Sequence, residues 1–419
     1  MAELQLPRGT RDLMPNEAIF RNEVLKKIEH LLQQFGFTTI DTPSFEQLTL
    51  LYAKSGIGEE SKLVYELKDD DLGLRYDNTV SLARFVSMHK DIQLPFKRYY
   101  IGKVWRHEEP QHLRYREVTQ VDADIVGGSE TESDSEIIAL GGKIMEALGI
   151  DYAIKLSDRR MMNSVLTKLG VSEDKILPTL RAIDKLDRKS VQEIAQLISG
   201  IGVESDIVDS IMDLVTFKGS NEDKLQYVEN LTGGKGVTNG IKRLLDILGA
   251  YELKGTVEID FSIVRGLDYY TGTVFEYKTG ETKESICGGG RYDKLIGLYG
   301  GKDIPAIGFA IGVDRLIDIL GASSSPMSTY AKVFVAYVSE KNFKYAVKVA
   351  NEIRKAGINV DLNTSSKNLA NQLKYASMLK IPYAVIIGDE EEKLGKVKLR
   401  NLISGEEETL EAKEIQRNI

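Results

Sequence analysis

From about Val171 to Gly249 the apolar residues fall at helical spacing and strand signals are few, whereas the chain on either side is rich in short β-runs. Ile176, Leu177, Leu180, Ile183, Leu186, Ile194, Leu197 and Ile198 carry the helical pattern first, and Ile241, Leu244, Leu245 and Ile247 carry it again. A helical block between two strand-bearing halves reads as an insertion into one domain, so the strands before and after it belong to one sheet. Before it come Phe37–Pro43, Leu63–Leu67 and Leu72–Tyr76, then Lys97–Trp105 and Arg116–Val126 as a long hairpin closed by the loop Arg106–Tyr115. After it come Val257–Phe261, Thr273–Tyr277 and Ile307–Ala310. Helices are expected at Asn16–Phe35, ended by Gly36, at Asn78–Met88 and at Leu316–Leu320. The expected fold is α+β: one antiparallel sheet with helices on one side.

Gly321–Pro326 has the composition of a linker. Beyond it, Val333–Val338, Ile358–Leu362 and Tyr383–Ile387 read as strands alternating with helices at Phe343–Lys355 and Leu369–Leu379, a small α/β domain with a mostly parallel sheet. A chain of 419 residues suits two or three domains. The expected boundaries are 1–170 and 251–321 for the two parts of the first domain, 171–250 for the helical insertion and 328–419 for the last domain.

The single cysteine, Cys287, excludes a disulfide framework and any multi-cysteine zinc or iron–sulfur site, and the four histidines are scattered. No metal site is expected. No apolar run approaches the roughly 18 residues that span a bilayer, and the first residues lack the pattern of a signal peptide, so a soluble cytoplasmic protein is expected. The net charge of −8 excludes a generally basic coat. Charge is unevenly spread, however. Ser328–Ile419 holds 15 Lys and Arg against 12 Asp and Glu, and Lys97–Arg116 holds six basic residues against two acidic ones. A basic loop in an acidic protein is either a solvated surface or an anion site.

Three regions combine residues that could do chemistry. In the loop Arg106–Arg116, His107, Glu108 and His112 lie one residue too far apart for a zinc-protease helix, and Pro110 breaks any helix there. The loop's arginines suit a polyphosphate, whose oxygens guanidinium groups bind in bidentate fashion. Arg265-Gly266 with Tyr269 and Tyr270 reads either as a turn with two core aromatics or as a phosphate-binding arginine beside aromatic walls. Gly288-Gly289-Gly290 reads by itself as a flexible turn, although it would also let a ligand approach the backbone. The Asp69-Asp70-Asp71 run reads as a turn. No Walker lysine motif is present, so bound ATP would lie outside the P-loop and Rossmann frameworks.

Together these segments resemble histidyl-tRNA synthetase, a class II aminoacyl-tRNA synthetase, in its archaeal and eukaryotic-style branch, over essentially the whole chain. Leu6–Asp12 resembles the family's N-terminal signature, the helix ending at Gly36 with the run to Pro43 resembles motif 1, and Tyr99–Gly127 with Arg106-His107-Glu108 resembles motif 2. Leu267–Gly272 and Gly288–Asp293 resemble segments peculiar to the histidine enzymes, and Gly308–Arg315 resembles motif 3.

The resemblance implies a ligase that joins L-histidine to tRNA(His) through a histidyl-adenylate, with ATP and Mg2+, in a homodimer formed by motif 1. The C-terminal domain is implied to bind the anticodon. Arg106 and Arg265 are the implied catalytic residues on either side of the α-phosphate, Arg265 standing where other class II enzymes use a metal ion. Glu108, Arg114 and Arg315 join Arg106 as ATP contacts. Asp77, Thr79 and Gln120 are implied to bind the α-ammonium, Arg106 and Arg265 the carboxylate end, and Asp124 with Tyr270, beside Tyr269, the imidazole. Asp77 and Asp124 stand where bacterial members carry glutamate, and Glu109 where many carry arginine.

The chemistry agrees with that residue set. The attacking carboxylate is already ionised, so the first step needs in-line positioning and charge neutralisation rather than a general base or nucleophile. A non-catalytic synthetase-like regulatory subunit of histidine biosynthesis is the rival expectation. It is opposed by the presence of both Arg106 and Arg265 and of a full C-terminal domain.

Overall fold

The computed structural model describes residues 4–55, 62–111, 113–264, 269–280, 285–321 and 328–419. Contacts divide the chain into two compact units, one of Met1–Arg11 and Val24–Leu320, the other of Asp12–Glu23 and Gly321–Ile419.

Helix α1 (Pro15–Gln34) opens with a proline, whose missing N–H is not needed in the first turn, and the Met14 N–H donates to Glu17 Oε2 at 3.0 Å. Gly36, at φ +78°, ends it in the left-handed conformation. Next come β1 (Thr38–Thr39), β2 (Phe45–Gln47), α2 (Leu48–Ser55), β3 (Tyr65–Glu66), β4 (Leu72–Leu74) and α3 (Asn78–Met88). The long hairpin is β5 (Phe96–Trp105) with β6 (Glu117–Val126), followed by α4 (Glu130–Ala147) and β7 (Ala153–Asp158). Six helices then run to α10: α5 (Arg159–Lys168), α6 (Glu173–Ile183), α7 (Val191–Gly200), α8 (Ser205–Thr216), α9 (Asn221–Thr232) and α10 (Asn239–Gly249). The chain returns through β8 (Thr256–Ile259), β9 (Thr273–Lys278), β10 (Cys287–Arg291), β11 (Ala306–Gly312) and α11 (Val313–Ile319).

The main sheet has the order β1-β5-β6-β11-β10-β9-β7-β8. Its interior pairings are antiparallel as expected, while the two edge strands β1 and β8 pair parallel to β5 and β7. The triple glycine is not a turn. It forms β10, in the middle of the sheet.

Residues directly opposite on neighbouring strands share a face, and the face alternates along each strand. Val121, Phe309, Gly289 and Phe275 therefore look one way with Tyr277, which donates its hydroxyl to Ile138 O of α4. A Cβ on Gly141 would lie 2.5 Å from that hydroxyl, so glycine in the helix lets α4 settle on the sheet. Ile137, Ile138, Leu140, Ile144 and Met145 of α4 are fully buried there. The other face of the sheet carries the polar residues.

In the second unit, β12 (Val333–Tyr337), α12 (Phe343–Lys355), β13 (Val360–Leu362), α13 (Leu369–Met378), β14 (Tyr383–Ile387), α14 (Asp389–Leu394), β15 (Val397–Asn401) and β16 (Glu407–Leu410) form a five-stranded sheet of order β13-β12-β14-β15-β16. Only β13, β12 and β14 run parallel; β15 and β16 are antiparallel additions that correct the mostly parallel expectation. Val335, Val349, Ile353, Val385, Ile387 and Leu399 share its core. No helix among the described residues is long and apolar enough to cross a membrane.

Candidate active site

The polar face of the sheet is built in three rows. Arg98 of β5, Asp124 of β6, Gly308 of β11 and Gly290 of β10 stand in register; so do Tyr100, Asp122, Ala310 and Gly288; so do Gly102, Gln120 and Gly312. On β10 and β11 this face carries no side chain beyond the methyls of Ala306 and Ala310, which leaves a floor beside a wall of β6 side chains. A Cβ at Gly308 would lie 1.9 Å from Asp124 Oδ1, and one at Gly290 would lie 3.0 Å from Tyr270 Cγ. Gly289 faces the other way, where a Cβ would lie 2.0 Å from Gly308 O. Glycine is required here by close packing around the floor, and so survives in a central strand despite its poor strand propensity.

A cavity of about 820 Å³ opens over this floor. Asp77, Thr79, Arg106, Glu108, Arg114, Gln120, Asp124, Tyr269, Tyr270 and Arg315 all line it. Of the residues singled out in the sequence, Arg265, Gly266, Leu267, Asp268 and His112 lie outside the described residues, as does the linker from Ala322 to Pro326.

Each lining residue is positioned by identifiable contacts. Asp77 is the N-cap of α3 and accepts from the Thr79 N–H at 2.5 Å, which brings both residues to the cavity edge. Arg106 follows β5; its N–H donates to Arg116 O at 2.8 Å and its Nε to Tyr76 O at 3.2 Å. Glu108 and Arg114 pair across the loop at 2.5 Å, and Arg116 Nε donates to Glu108 O at 2.9 Å. Arg315, in the first turn of α11, donates to Ser285 O. The rings of Tyr269 and Tyr270 lie 4.4 Å apart, with Tyr292 edge-on to Tyr269 at 6.3 Å. Asp124 sits against Arg98, 2.8 Å from its Oδ2, and its Oδ1 accepts from the Tyr292 hydroxyl.

The N-terminal segment braces the same loop. Gly9 O accepts from the Arg116 N–H at 2.8 Å, and Arg8 pairs with Glu109 at 2.6 Å on the surface. Arg11 reaches Asp314 at 2.7 Å, with its guanidinium 4.7 Å above the Tyr115 ring. Asp314 also accepts from the Thr119 N–H at 3.2 Å, so one carboxylate joins the N-terminal segment, β6 and α11.

Several residues of the site are not evident from the sequence: Asp122, Tyr292, Asp314, Asp187 and Arg188 on its lining, and Arg98, Asn78 and Arg11, each paired with a lining residue. The alternation Gln120-Val121-Asp122-Ala123-Asp124 does carry the signal for Asp122, since it places all three polar residues on one strand face. Burial pushes the Asp122 carboxyl up to about 7; Arg98 opposes that shift and Asp124 adds to it. Burial likewise raises the Cys287 thiol well above its ordinary range, with Asp122 and Glu276 adding to it, which keeps the sulfur protonated and unsuited to attack. Among the described residues no group of three or more His, Cys, Asp and Glu is arranged to hold a metal ion. The arrangement can bind an amino acid between carboxylates and an anion beneath arginines, and can hold the two in fixed register.

Residues 9–316 match the family described as Histidyl-tRNA synthetase, and residues 332–419 match the family described as Anticodon binding domain. The chain is 39% identical to a histidine–tRNA ligase from Aeropyrum pernix over 96% of its own length and 94% of the relative's. The fold superposes on the crystal structure of histidyl-tRNA synthetase from a Nostoc species with a TM-score of 0.88 and 29% identity, covering all of both chains. A structure from Bacillus halodurans, described as an ATP phosphoribosyltransferase regulatory subunit/histidyl-tRNA synthetase, shares the fold at a TM-score of 0.77 and 22% identity, over 92% of this chain and 97% of that one. The chain therefore belongs to the histidyl-tRNA synthetase family.

Proposed function

We infer that the chain is a histidine–tRNA ligase: it activates L-histidine with ATP and transfers the histidine to the 3′ end of tRNA(His). The observation that carries this reading is the convergence of ten family-matched residues, from β6, α3, α11, the Arg106–Arg116 loop and the Tyr269-Tyr270 segment, on one cavity. A regulatory subunit has no need of that constellation.

In the first step the histidine carboxylate attacks the ATP α-phosphate and pyrophosphate leaves. Arg106 holds the carboxylate and an α-phosphate oxygen, and Arg265 supplies the second charge. Both guanidinium groups stay protonated throughout, so they neutralise developing charge without a proton transfer. Glu108, Arg114 and Arg315 contact ATP, which enters with Mg2+. Asp77, Thr79 and Gln120 receive the α-ammonium. Asp124 and Tyr270, beside Tyr269, read the two imidazole nitrogens, and a pocket built on such polar partners rejects analogues that lack them.

Residues 1–170 and 251–321 form the catalytic domain in this reading, 171–250 the helical insertion and 328–419 the anticodon-binding domain. The protein works as a cytoplasmic homodimer through the motif 1 surface. Histidine-dependent ATP–pyrophosphate exchange, followed by charging of tRNA(His), tests the function. Both activities are expected. Exchange with no histidine dependence, or none at all in folded protein, overturns the reading.

A further inference from the structure

Helix α3 and strand β6 are 44 residues apart in sequence at their closest side-chain link, the hydrogen bond from Asn78 Nδ2 to Asp122 Oδ2. Asn78 stands between Asp77 and Thr79, and Asp122 stands on the strand face between Gln120 and Asp124. The bond therefore ties the start of α3 to the middle of the β6 wall, and both partners are almost fully enclosed, at 3% and 4% exposure.

Stability alone does not account for this pair. Arg98, the guanidinium on that face, makes its close contact with Asp124. Asn78 Oδ1 is buried without a hydrogen-bond partner among the described residues. An apolar pair of similar volume is commonly as stable as buried polar groups left in this condition, or more so. What the pair does provide is a fixed distance between two elements that both line the cavity.

We propose that Asn78 and Asp122 are a positioning pair for the amino-acid pocket, holding Asp77 and Thr79 of α3 in register with Gln120 of β6. The inference rests on the histidine-ligase reading, in which those three residues receive the α-ammonium. Neither Asn78 nor Asp122 is required to touch the substrate. ATP binding, centred on Arg106, Arg114 and Arg315, is independent of the link.

The test is pyrophosphate exchange by the full chain, with KM for histidine and for ATP measured in the parent, Asp122→Asn, Asp122→Ala, Asn78→Ala and the Asp122→Ala/Asn78→Ala double variant. A parent without histidine-dependent exchange sinks the ligase reading itself, which separates that failure from this one. Asp122→Ala and Asn78→Ala are each expected to raise the histidine KM about tenfold or more, with the ATP KM within about twofold of the parent. The double variant is expected to match the worse single one, because both remove the same link. Asp122→Asn keeps an oxygen that accepts from Asn78 and is expected to stay within about threefold of the parent. Multiplying effects in the double variant, equal rises in both KM values, or an Asp122→Asn as impaired as Asp122→Ala overturn the proposal. Should Asp122→Ala fail to fold, an impaired Asn78→Ala beside an intact Asp122→Asn still supports the link, and any other pattern in those two rejects it.

Discussion

Arg98 and Asp124 face each other on adjacent strands, 2.8 Å apart, with only 1% and 4% of their side chains exposed. The carboxylate read as the imidazole partner is thus held from behind before any ligand arrives, by a guanidinium on Oδ2 and by the Tyr292 hydroxyl on Oδ1. An aspartate has a shorter reach than the glutamate of bacterial members. Two partners that stop it from swinging away make that shorter reach usable.

Removing Arg98 is therefore expected to do two kinds of damage. Arg98→Met leaves the Asp124 charge buried without its partner, which destabilises by about 3–5 kcal/mol. The same variant should raise the histidine KM, because Asp124 loses its orientation. Arg98→Met/Asp124→Asn, which removes the stranded charge, should recover much of the stability and none of the histidine affinity. Urea unfolding and exchange kinetics measure both. An Arg98→Met protein as stable as the parent would show that the pair is not the brace described.

Asp122 gives the pH dependence its sign. Its carboxyl titrates near 7 in the folded protein because of burial, with Arg98 opposing and the Asp124 and Asp77 charges adding, against an ordinary value near 3.8. The folded state therefore holds this proton after the unfolded chain has released it. Stability from this group is complete below about pH 4 and is lost as pH rises toward 7. Asp122→Asn, which never ionises, should gain stability relative to the parent as pH rises through that window, and the difference should level off above about pH 8. Paired urea titrations across the range decide it. A difference that is flat with pH, or that shrinks as pH rises, contradicts the assignment.

How legible these features are in the sequence depends on how local their causes are. Helices α3 and α12 match the expected Asn78–Met88 and Phe343–Lys355 residue for residue, because amphipathic spacing and local end signals set them. Strand β10 is illegible as a strand, because its glycines are selected by neighbours distant in sequence, Gly308 O and the Tyr270 ring. Strands β15 and β16 escape notice because Lys398, Arg400, Glu407 and Glu408 give them a surface composition. In the site, the motif residues can be matched one at a time. Arg98 looks like one more charge in a basic stretch until the hairpin register sets it opposite Asp124.

The bridge through Asp314 leads to a different kinetic signature. Arg11 holds Asp314 at 2.7 Å, Asp314 also takes the Thr119 N–H, and Arg315 is the next residue in α11. Arg11→Ala frees Asp314 on one side and also removes the guanidinium from the Tyr115 ring. If Arg315 contacts ATP, loosening its helix start should raise the ATP KM by about threefold to tenfold while the histidine KM stays near the parent value. Asp314→Ala should act in the same direction, and the double variant should be less than multiplicative. An effect confined to histidine would place Arg11 in the wrong half of the site.

Two glycines of β11, Gly308 in its interior and Gly312 at its end, give the sharpest contrast. At Gly308 a Cβ would lie 1.9 Å from Asp124 Oδ1, 2.5 Å from its Cγ and 2.8 Å from Ala123 O. The carboxylate cannot move aside without breaking with Arg98 and Tyr292, and the Ala123 carbonyl belongs to the neighbouring strand. Gly308→Ala must therefore displace the imidazole reader or separate β6 from β11. At Gly312, four residues along the same strand and on the same face, a Cβ would meet nothing within 4 Å. Gly312→Ala should keep most histidine-dependent exchange, whereas Gly308→Ala should lose about 100-fold or more in kcat/KM for histidine, the scale expected when reacting groups are misplaced by about 1 Å. Circular dichroism and thermal unfolding on both variants would show whether the Gly308 protein still folds cooperatively. If it folds and retains parent-like kcat/KM for histidine, Asp124 does not need the position it occupies beside Gly308, and its assignment as the imidazole reader falls with it.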